Sequence, residues 1–438
     1  MRQAFVIVHR WAGLFIAVFL FIAGLTGALI SWDHELDAWL NPHLYDAKAA
    51  GAPLPALDLV AKVEAADPRA QVTYFTVGFE EGHTAAFSVQ PRLDPKTGEV
   101  YPLEYNQAFV DPASGEIVGK RFWGEISLDS ENILPFLYKL HYSMHIPAFA
   151  DFDRWGIWFM GIVAIVWTFD CFVGLYLTLP ARTRRVAANG AAVEFPEASG
   201  ELPPAGGRSW WQRWKPAWQI KRNASSYRLN LDLHRAFGLW LWLMLLIVAF
   251  TSISMNLTNE VVRPILSRIS SLTPDAFDDR APTPLNKPVV PTVSYAEAMA
   301  TAAEEGRKRG WSEPVGAAFY GTQHGLYAIM FHRPGEEHGS GGMQKMLILD
   351  GKDGTLVGDR VPWEGTAADV FMQLQYPLHS GRIAGIPGRI LLSIMGVVVA
   401  MLSVTGIVVW FKKRAARKVR ARARQTYPGT TEPTPAQS

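Results

Sequence analysis

Four stretches of the chain are almost continuously apolar, at roughly 11–31, 155–179, 236–256 and 388–411. Each holds about 20 residues or more, enough to cross a hydrocarbon layer of about 30 Å at 1.5 Å rise per residue. Each therefore predicts a membrane-spanning helix. The first is long for a secretion signal and has no evident small-x-small cleavage site before the charged segment that follows, so a retained helix is expected. The segments between the spans carry other periods. "LPALDLVAKVEAA" (54–66) and "SYAEAMATAAEEGRKRG" (294–310) have helical periodicity and helix-forming composition. "VTYFTVGF", "TAAFSV" and "QAFVD" alternate like strands, as do "GAAFYG", "LYAIMF" and "KMLILD". "DPASGE" and "DGKDGT" read as the turns of hairpins.

Charge gives these elements an orientation. Residues 181–229 carry nine Lys/Arg against three acidic residues, and "KKRAARKVRARAR" follows the last span. The positive-inside rule puts both termini and the middle loop in the cytoplasm and the two long segments outside. The terminal basic run is read as a topological stop and a contact with lipid headgroups, not as a nucleic-acid site. In the middle loop, Trp210, Trp211, Trp214 and Trp218 stand at helical spacing among basic residues, which suits a segment lying in the membrane interface. Charged residues make up only 19% of the chain, and there is one cysteine, Cys171, inside the second span. That excludes an intramolecular disulfide, a thiolate metal site and a cysteine-held iron–sulfur cluster, so redox chemistry would need a cofactor.

The chain is also written twice. "VHRWAGLFIAVFL" at residue 8 is answered by "LHRAFGLWLWLML" at 233, "LYKLHYSMHIP" at 137 by "FMQLQYPLHSG" at 371, and "AFVDPASGEIVGKRFWGE" at 108 by "LILDGKDGTLVGDRVPWEG" at 347. The expected fold is an integral membrane α-helical protein with four transmembrane helices in two tandem repeats and two exterior α+β domains. Its parts are transmembrane helix 1 at 1–32, an exterior domain at 33–140, an outer amphipathic segment with helix 2 at 141–180, and a cytoplasmic loop at 181–230. Helix 3 follows at 231–256, a second exterior domain at 257–370, an outer segment with helix 4 at 371–411, and a basic tail at 412–438.

Four of the eleven histidines occupy matched positions: His9 with His234, offset 225, and His145 with His379, offset 234. Matched depth lets each pair face across a bundle at one level, which suits a haem iron with two axial imidazoles, one haem near each side of the membrane. Ionisable groups at such depths are costly and usually functional; the alternative for any one histidine is an interfacial residue with a water or carbonyl partner. His141 lies four residues before His145, on the same helix face, but its counterpart is Gln375, so it is a ligand, a supporting donor or a group meeting the substrate. Arg10 and Arg235 follow the first pair directly and either snorkel to headgroups or pair with haem propionates. Gly13, Ala17, Gly24, Ala28 and Ser31 give the first span a face of small residues, fit for a close helix or a flat macrocycle. "FHRPGEEHGSGG" reads as a surface loop in which a weak metal site of His332 and His338 with Glu336 or Glu337 is the minor alternative. No Ser/His/Asp set, H-E-x-x-H, phosphate loop or G-x-G-x-x-G motif stands out. A metal permease is disfavoured by four spans with Asp170 as the lone intramembrane acid.

"HRWAGL", "LHYSMHIP", "LDLHRAFGLW" and "LHSGRIAGIPGR" occur in order at the openings of the four spans or just before them. Over about residues 1–415 the chain resembles the PepSY-associated transmembrane family, which includes inner-membrane siderophore reductases, and its two hairpin turns resemble those closing PepSY domains. The resemblance implies PepSY-like exterior domains and two haem b groups in a four-helix membrane region. It implies ligands at His9, His234, His379 and either or both of His141 and His145. It further implies electron transfer from a cytoplasmic reductase or a quinol to a ferric siderophore in the periplasm. The competing expectation is a non-redox membrane scaffold that modulates a peptidase or supports a transporter.

Overall fold

The computed structural model describes residues 1–149, 152–181, 185–186, 192–193, 208–284, 286–336 and 344–426. Three helices are long and apolar enough to cross a membrane, or four if one bent pair counts as a single span. The long helices are α1 (Arg2–Ile30), α5 (Trp155–Thr178) and α10 (Gly385–Thr426). The bent pair is α6 (Ser226–Trp240) with α7 (Trp242–Asn256). The third span expected at 231–256 falls on this pair, whose two helices meet at 73°. The break falls at Leu241, between Trp240 and Trp242, and the Trp242 indole N–H donates to the Cys171 carbonyl at 2.9 Å, which ties the start of α7 to α5. The helix of the fourth span does not stop at 411. Helix α10 runs on through the basic segment to Thr426, because Ala, Lys and Arg are among the best helix formers and nothing there breaks the ladder.

Of the middle loop, residues 182–184, 187–191 and 194–207 lie outside the described residues. Its tryptophan-rich part folds as a short helix, Trp210–Trp214, with a capping box from Ser209 and Gln212, then a tight turn over Lys215–Trp218. Pro216 stops the first helix from continuing. Trp210 and Trp211 are exposed.

The chain divides into two compact units. The first comprises residues 1–25, 162–250 and 395–438; the second comprises 26–161 and 251–394. The second holds one antiparallel sheet of eight strands. In chain order these are β1 (Ala70–Thr76), β2 (Ala85–Pro91), β3 (Gln107–Val110), β4 (Ile117–Arg121), β5 (Val315–Gly321), β6 (Leu326–Phe331), β7 (Lys345–Asp350) and β8 (Leu356–Arg360). Their spatial order is β8-β7-β6-β5-β1-β2-β3-β4. The two α+β segments expected as separate domains are thus one body, joined where Tyr74, Phe75 and Thr76 pair with Phe319, Ala318 and Ala317. Helices α3 (Ala56–Ala66) and α8 (Tyr295–Lys308) supply Leu59, Val63, Ala298 and Ala302 to a core shared with Phe75, Phe87, Tyr327 and Leu347. The reason is burial. An alternating strand with one apolar face needs a cover, and pairing β1 with β5 removes two exposed sheet edges while pooling the apolar faces.

The two Gly/Asp turns lie where they were expected. At the first, Asp111 accepts from the backbone N–H groups of Ala113 and Ser114, and from those of Lys48 and Ala49. Burial pushes its carboxyl up, but those four amides outweigh it and leave it below the usual range. Gly115 follows at φ 74°, a left-handed position that a side chain would strain.

Helix α2 (Asp33–Leu40) is fastened to the sheet by a buried ion pair: Arg121 Nη1 lies 2.7 Å from Asp37 Oδ2, the side chains 3% and 7% exposed. Asn41 and Tyr45 donate to the same carboxylate at 2.8 and 2.7 Å. Removing one partner strands a buried charge, so Asp37→Ala is expected to destabilise the protein by about 3–5 kcal/mol, measured by chemical denaturation in detergent.

Candidate functional site

In the first unit the histidine of "HRWAGL" sits two turns into α1, and that of "LHRAFG" lies in the second half of α6. Their rings face each other, His9 to His234, with centroids 6.1 Å apart and planes at 60°. Both are oriented from behind. His9 Nδ1 is 2.8 Å from Asp170 Oδ1 on α5. His234 Nδ1 is 3.0 Å from the Leu402 carbonyl and 3.2 Å from the Thr405 hydroxyl on α10. A carbonyl only accepts, so His234 carries its proton on Nδ1 and keeps a lone pair on Nε2. The Asp170 carboxylate imposes the same tautomer on His9. Glycines stand against both rings: a Cβ on Gly406 would crowd His234 Cε1 at 3.3 Å, whereas one on Gly174 would make an ordinary contact with His9 Cε1 at 3.5 Å.

A cavity of about 800 Å³ surrounds this pair. Its apolar wall includes Ile16, Ala17, Leu20, Leu239 and Leu245, and Arg2, Arg10, Arg235, Lys413, Arg414 and Arg417 also line it. Gly238 has nothing within 4 Å of where a Cβ would stand, and Gly13 only Asp170 Oδ2 at 3.9 Å. The small-residue face of α1 therefore does two jobs. Gly13 and Ala17 open onto the cavity, whereas Gly24 packs against the backbone of Gly396 and Ala400. Arg10 and Arg235 part company. Arg235 bonds the Asp232 carboxylate at 3.0 Å and the Pro216 carbonyl at 2.5 Å. Arg10 lies over the Trp11 ring at 5.2 Å, and its Nε is buried with no hydrogen-bond partner among the described residues.

The second unit repeats the motif with different members. His379, on α9 (Ala367–Ser380), faces His141, on α4 (Ile133–Ser143), with ring centroids 6.2 Å apart and planes at 63°. Thr26 Oγ1 meets His141 Nδ1 at 3.1 Å, and Thr251 Oγ1 meets His379 Nδ1 at 3.0 Å. A Cβ on Gly27 would come within 2.8 Å of His141 Cε1, so only glycine leaves space for that ring.

The expected pairing of His145 with His379 is corrected. Helix α4 ends at Ser143, and Met144 and His145 both take left-handed backbone conformations. That turn swings His145 back over α4, where it stacks on Phe136 at 4.8 Å and its Nε2–H donates to the Phe136 carbonyl at 2.9 Å. Helix α9 instead continues through Pro377 to Ser380, keeping His379 on a helical face. The aligned letters match, but the backbones beneath them do not. Gln375, the counterpart of His141, is buried and gives its Nε2–H to the Phe371 carbonyl at 2.6 Å.

The loop site of His332, Glu336, Glu337 and His338 cannot be assembled from the described residues, since Glu337 and His338 lie outside them. Among the described residues no group of three or more His, Cys, Asp or Glu stands ready for a metal ion. Each facing pair thus offers two nitrogen ligands. Two metal–nitrogen bonds of about 2 Å each, with the half-widths of two imidazoles, add to about 6 Å, the spacing of both pairs. A bare ion would want four to six ligands, whereas the iron of a macrocycle wants two from the protein.

Sequence reading missed Thr26, Thr251, Thr405, Gly174 and Gly406, and gave Asp170 no role. A signal existed: Thr26 and Thr251 are 251 − 26 = 225 residues apart, the offset of His9 and His234, and Gly174 and Gly406 are 232 apart. No curated protein matches the chain. The family described as the PepSY-associated TM region matches residues 6–413. Nearly the whole length is covered, so the chain belongs to the PepSY-associated TM region family.

Proposed function

We propose that this protein is a di-haem inner-membrane reductase that passes electrons from the cytoplasmic side to a ferric siderophore in the periplasm, releasing Fe(II). The observation that carries the reading is the pair of matched imidazole couples, 6.1 and 6.2 Å between centroids. The basic segments at 181–229 and after the last span favour a cytoplasmic location for both termini, with the eight-stranded sheet in the periplasm as paired PepSY-like halves.

His9 and His234 would hold one haem b, and His141 and His379 the other. Asp170, Leu402, Thr405, Thr26 and Thr251 fix the ring orientations, so that little rearrangement accompanies a change of charge at the metal. The apolar wall of the first cavity excludes water, and its arginines and Lys413 suit two propionates, Arg10 among them with a buried Nε that has no hydrogen-bond partner among the described residues. Bound haem would supply reversible one-electron transfer without proton chemistry. The substrate gains one electron per iron. Fe(III) becomes Fe(II), which hard anionic oxygen donors hold less strongly, and the metal leaves. The electron comes from a cytoplasmic reductase or a quinol.

The absorption spectrum of protein purified from haem-replete cells tests this directly. A Soret band with sharp α-bands on reduction, at two haems per chain, is expected. A colourless protein would leave the non-redox PepSY scaffold as the better reading.

A further inference from the structure

The cavity around His9 and His234 holds more positive charge than one macrocycle answers. Arg2, Arg10, Arg235, Lys413, Arg414 and Arg417 line it, and Asp170 is the only acid among its described lining residues. A haem brings two propionates. Arg10 and Arg235 directly follow the two histidines, nearest the level of the iron. The other four lie farther along. Arg2 precedes His9 by seven residues of α1; Lys413 and Arg417 follow Gly406, which stands against the His234 ring, by seven and eleven residues of α10. At 1.5 Å per residue they are about 10 to 16 Å from the imidazoles along the helices, on the side where the charge bias puts the cytoplasm. Nor is the basic run turned evenly toward lipid. Val399, Leu402, Gly406, Trp410, Lys413 and Arg417 recur at three- or four-residue spacing, so one face of α10 lines the cavity from its apolar wall to its basic end. Lys412 is off that face and donates to the Ser226 hydroxyl at 2.7 Å. Among the described residues no carboxylate is paired with Lys413, Arg414 or Arg417, and Arg414 lies over the Trp410 ring at 5.2 Å.

We infer that the cytoplasmic end of this cavity is a binding site for a phosphate group, formed by Arg2, Lys413, Arg414 and Arg417 and separate from the seat of the haem propionates. The division of the six cations rests on the two-haem reading above; the phosphate site itself needs no bound haem. A cleft of one sign with low-dielectric walls focuses its field and draws in an anion. Phosphate concentrates charge and several acceptor oxygens on one compact group, which guanidinium forks bind in pairs and an ammonium meets as a point charge. A quinol is uncharged and would leave the four cations unanswered. Two sources carry the group: a soluble flavin nucleotide entering from the cytoplasm, and an anionic phospholipid of the inner leaflet.

Full-length protein in lipid nanodiscs tests this with three probes: flavin mononucleotide, riboflavin, which lacks the phosphate, and phosphatidylglycerol mixed with phosphatidylcholine. Lys413→Gln with Arg417→Gln removes two cations from the cavity. Lys412→Gln with Lys418→Gln removes two from the same stretch of helix outside its lining. The wild type is expected to bind flavin mononucleotide more tightly than riboflavin, read by flavin fluorescence, or to retain phosphatidylglycerol over phosphatidylcholine, read by native mass spectrometry. The first result assigns a soluble ligand and the second a lipid. The cavity pair should weaken that preference about tenfold, and the outer pair should leave it in place. Arg2→Gln, on the other helix, should weaken it as well and gives a second reading if the cavity pair does not accumulate. The inference is overturned if the wild type shows neither preference, or if both pairs weaken it equally, which would mean diffuse surface charge. It is also overturned if the cavity pair halves the haem content, since those side chains would then hold propionates. A wild type that binds the phosphate probe without haem would sink the functional reading and leave this site standing.

Discussion

His234→Ala protein, expressed with ample haem, is expected to bind about half the haem of the wild type, and His9→Ala the same. On the proposed reading the two residues hold one centre from opposite sides, so either loss leaves a single axial nitrogen and an alanine-sized gap. The neighbours offer no replacement: Asp170 and Thr405 stand behind the rings, not between them. The double variant should bind no less than either single variant, because both remove the same centre. Pyridine haemochrome content per chain checks this, with the elution volume of the detergent complex as a control for folding. Unchanged haem in both single variants would dismiss the couple as a cofactor site.

A sharper contrast is expected at the second couple. His141→Ala and His379→Ala should each lose the other half of the haem, and His145→Ala should keep both centres. His145 spends its Nε2–H on the Phe136 carbonyl and its ring face on the Phe136 ring. Removing it costs a hydrogen bond of about 0.5–1.5 kcal/mol and some packing, not a ligand. If His145→Ala loses a haem while His141→Ala keeps it, the pairing drawn from the ring geometry is wrong and the repeat-matched one is right.

These contrasts show how the site was legible and where it was not. His9 and His234 could be paired from sequence, because both follow the same "HR" signature and sit on helical segments of similar character. The second pairing could not. The alignment of "LHYSMHIP" with "YPLHSG" put His145 opposite His379, and only the left-handed turn at Met144 and His145 shows why His141 takes that place. Asp170 was visible as a lone acid without a partner to explain it. The hydroxyls of Thr26 and Thr251 fell within apolar runs, where only their shared 225-residue offset set them apart.

The sequence by itself determined the membrane-spanning runs, the strands and turns of the sheet, and the histidines worth weighing. These follow from local quantities: apolar length, alternation, glycine at turns and the cost of burying an imidazole. Tertiary structure alone decided that the two α+β segments share one sheet, that α6 and α7 meet at 73°, and which imidazole meets His379. Each of these depends on contacts between residues at least 71 positions apart, or on two left-handed residues redirecting a helix end. Periodicity and spacing carry no information about either.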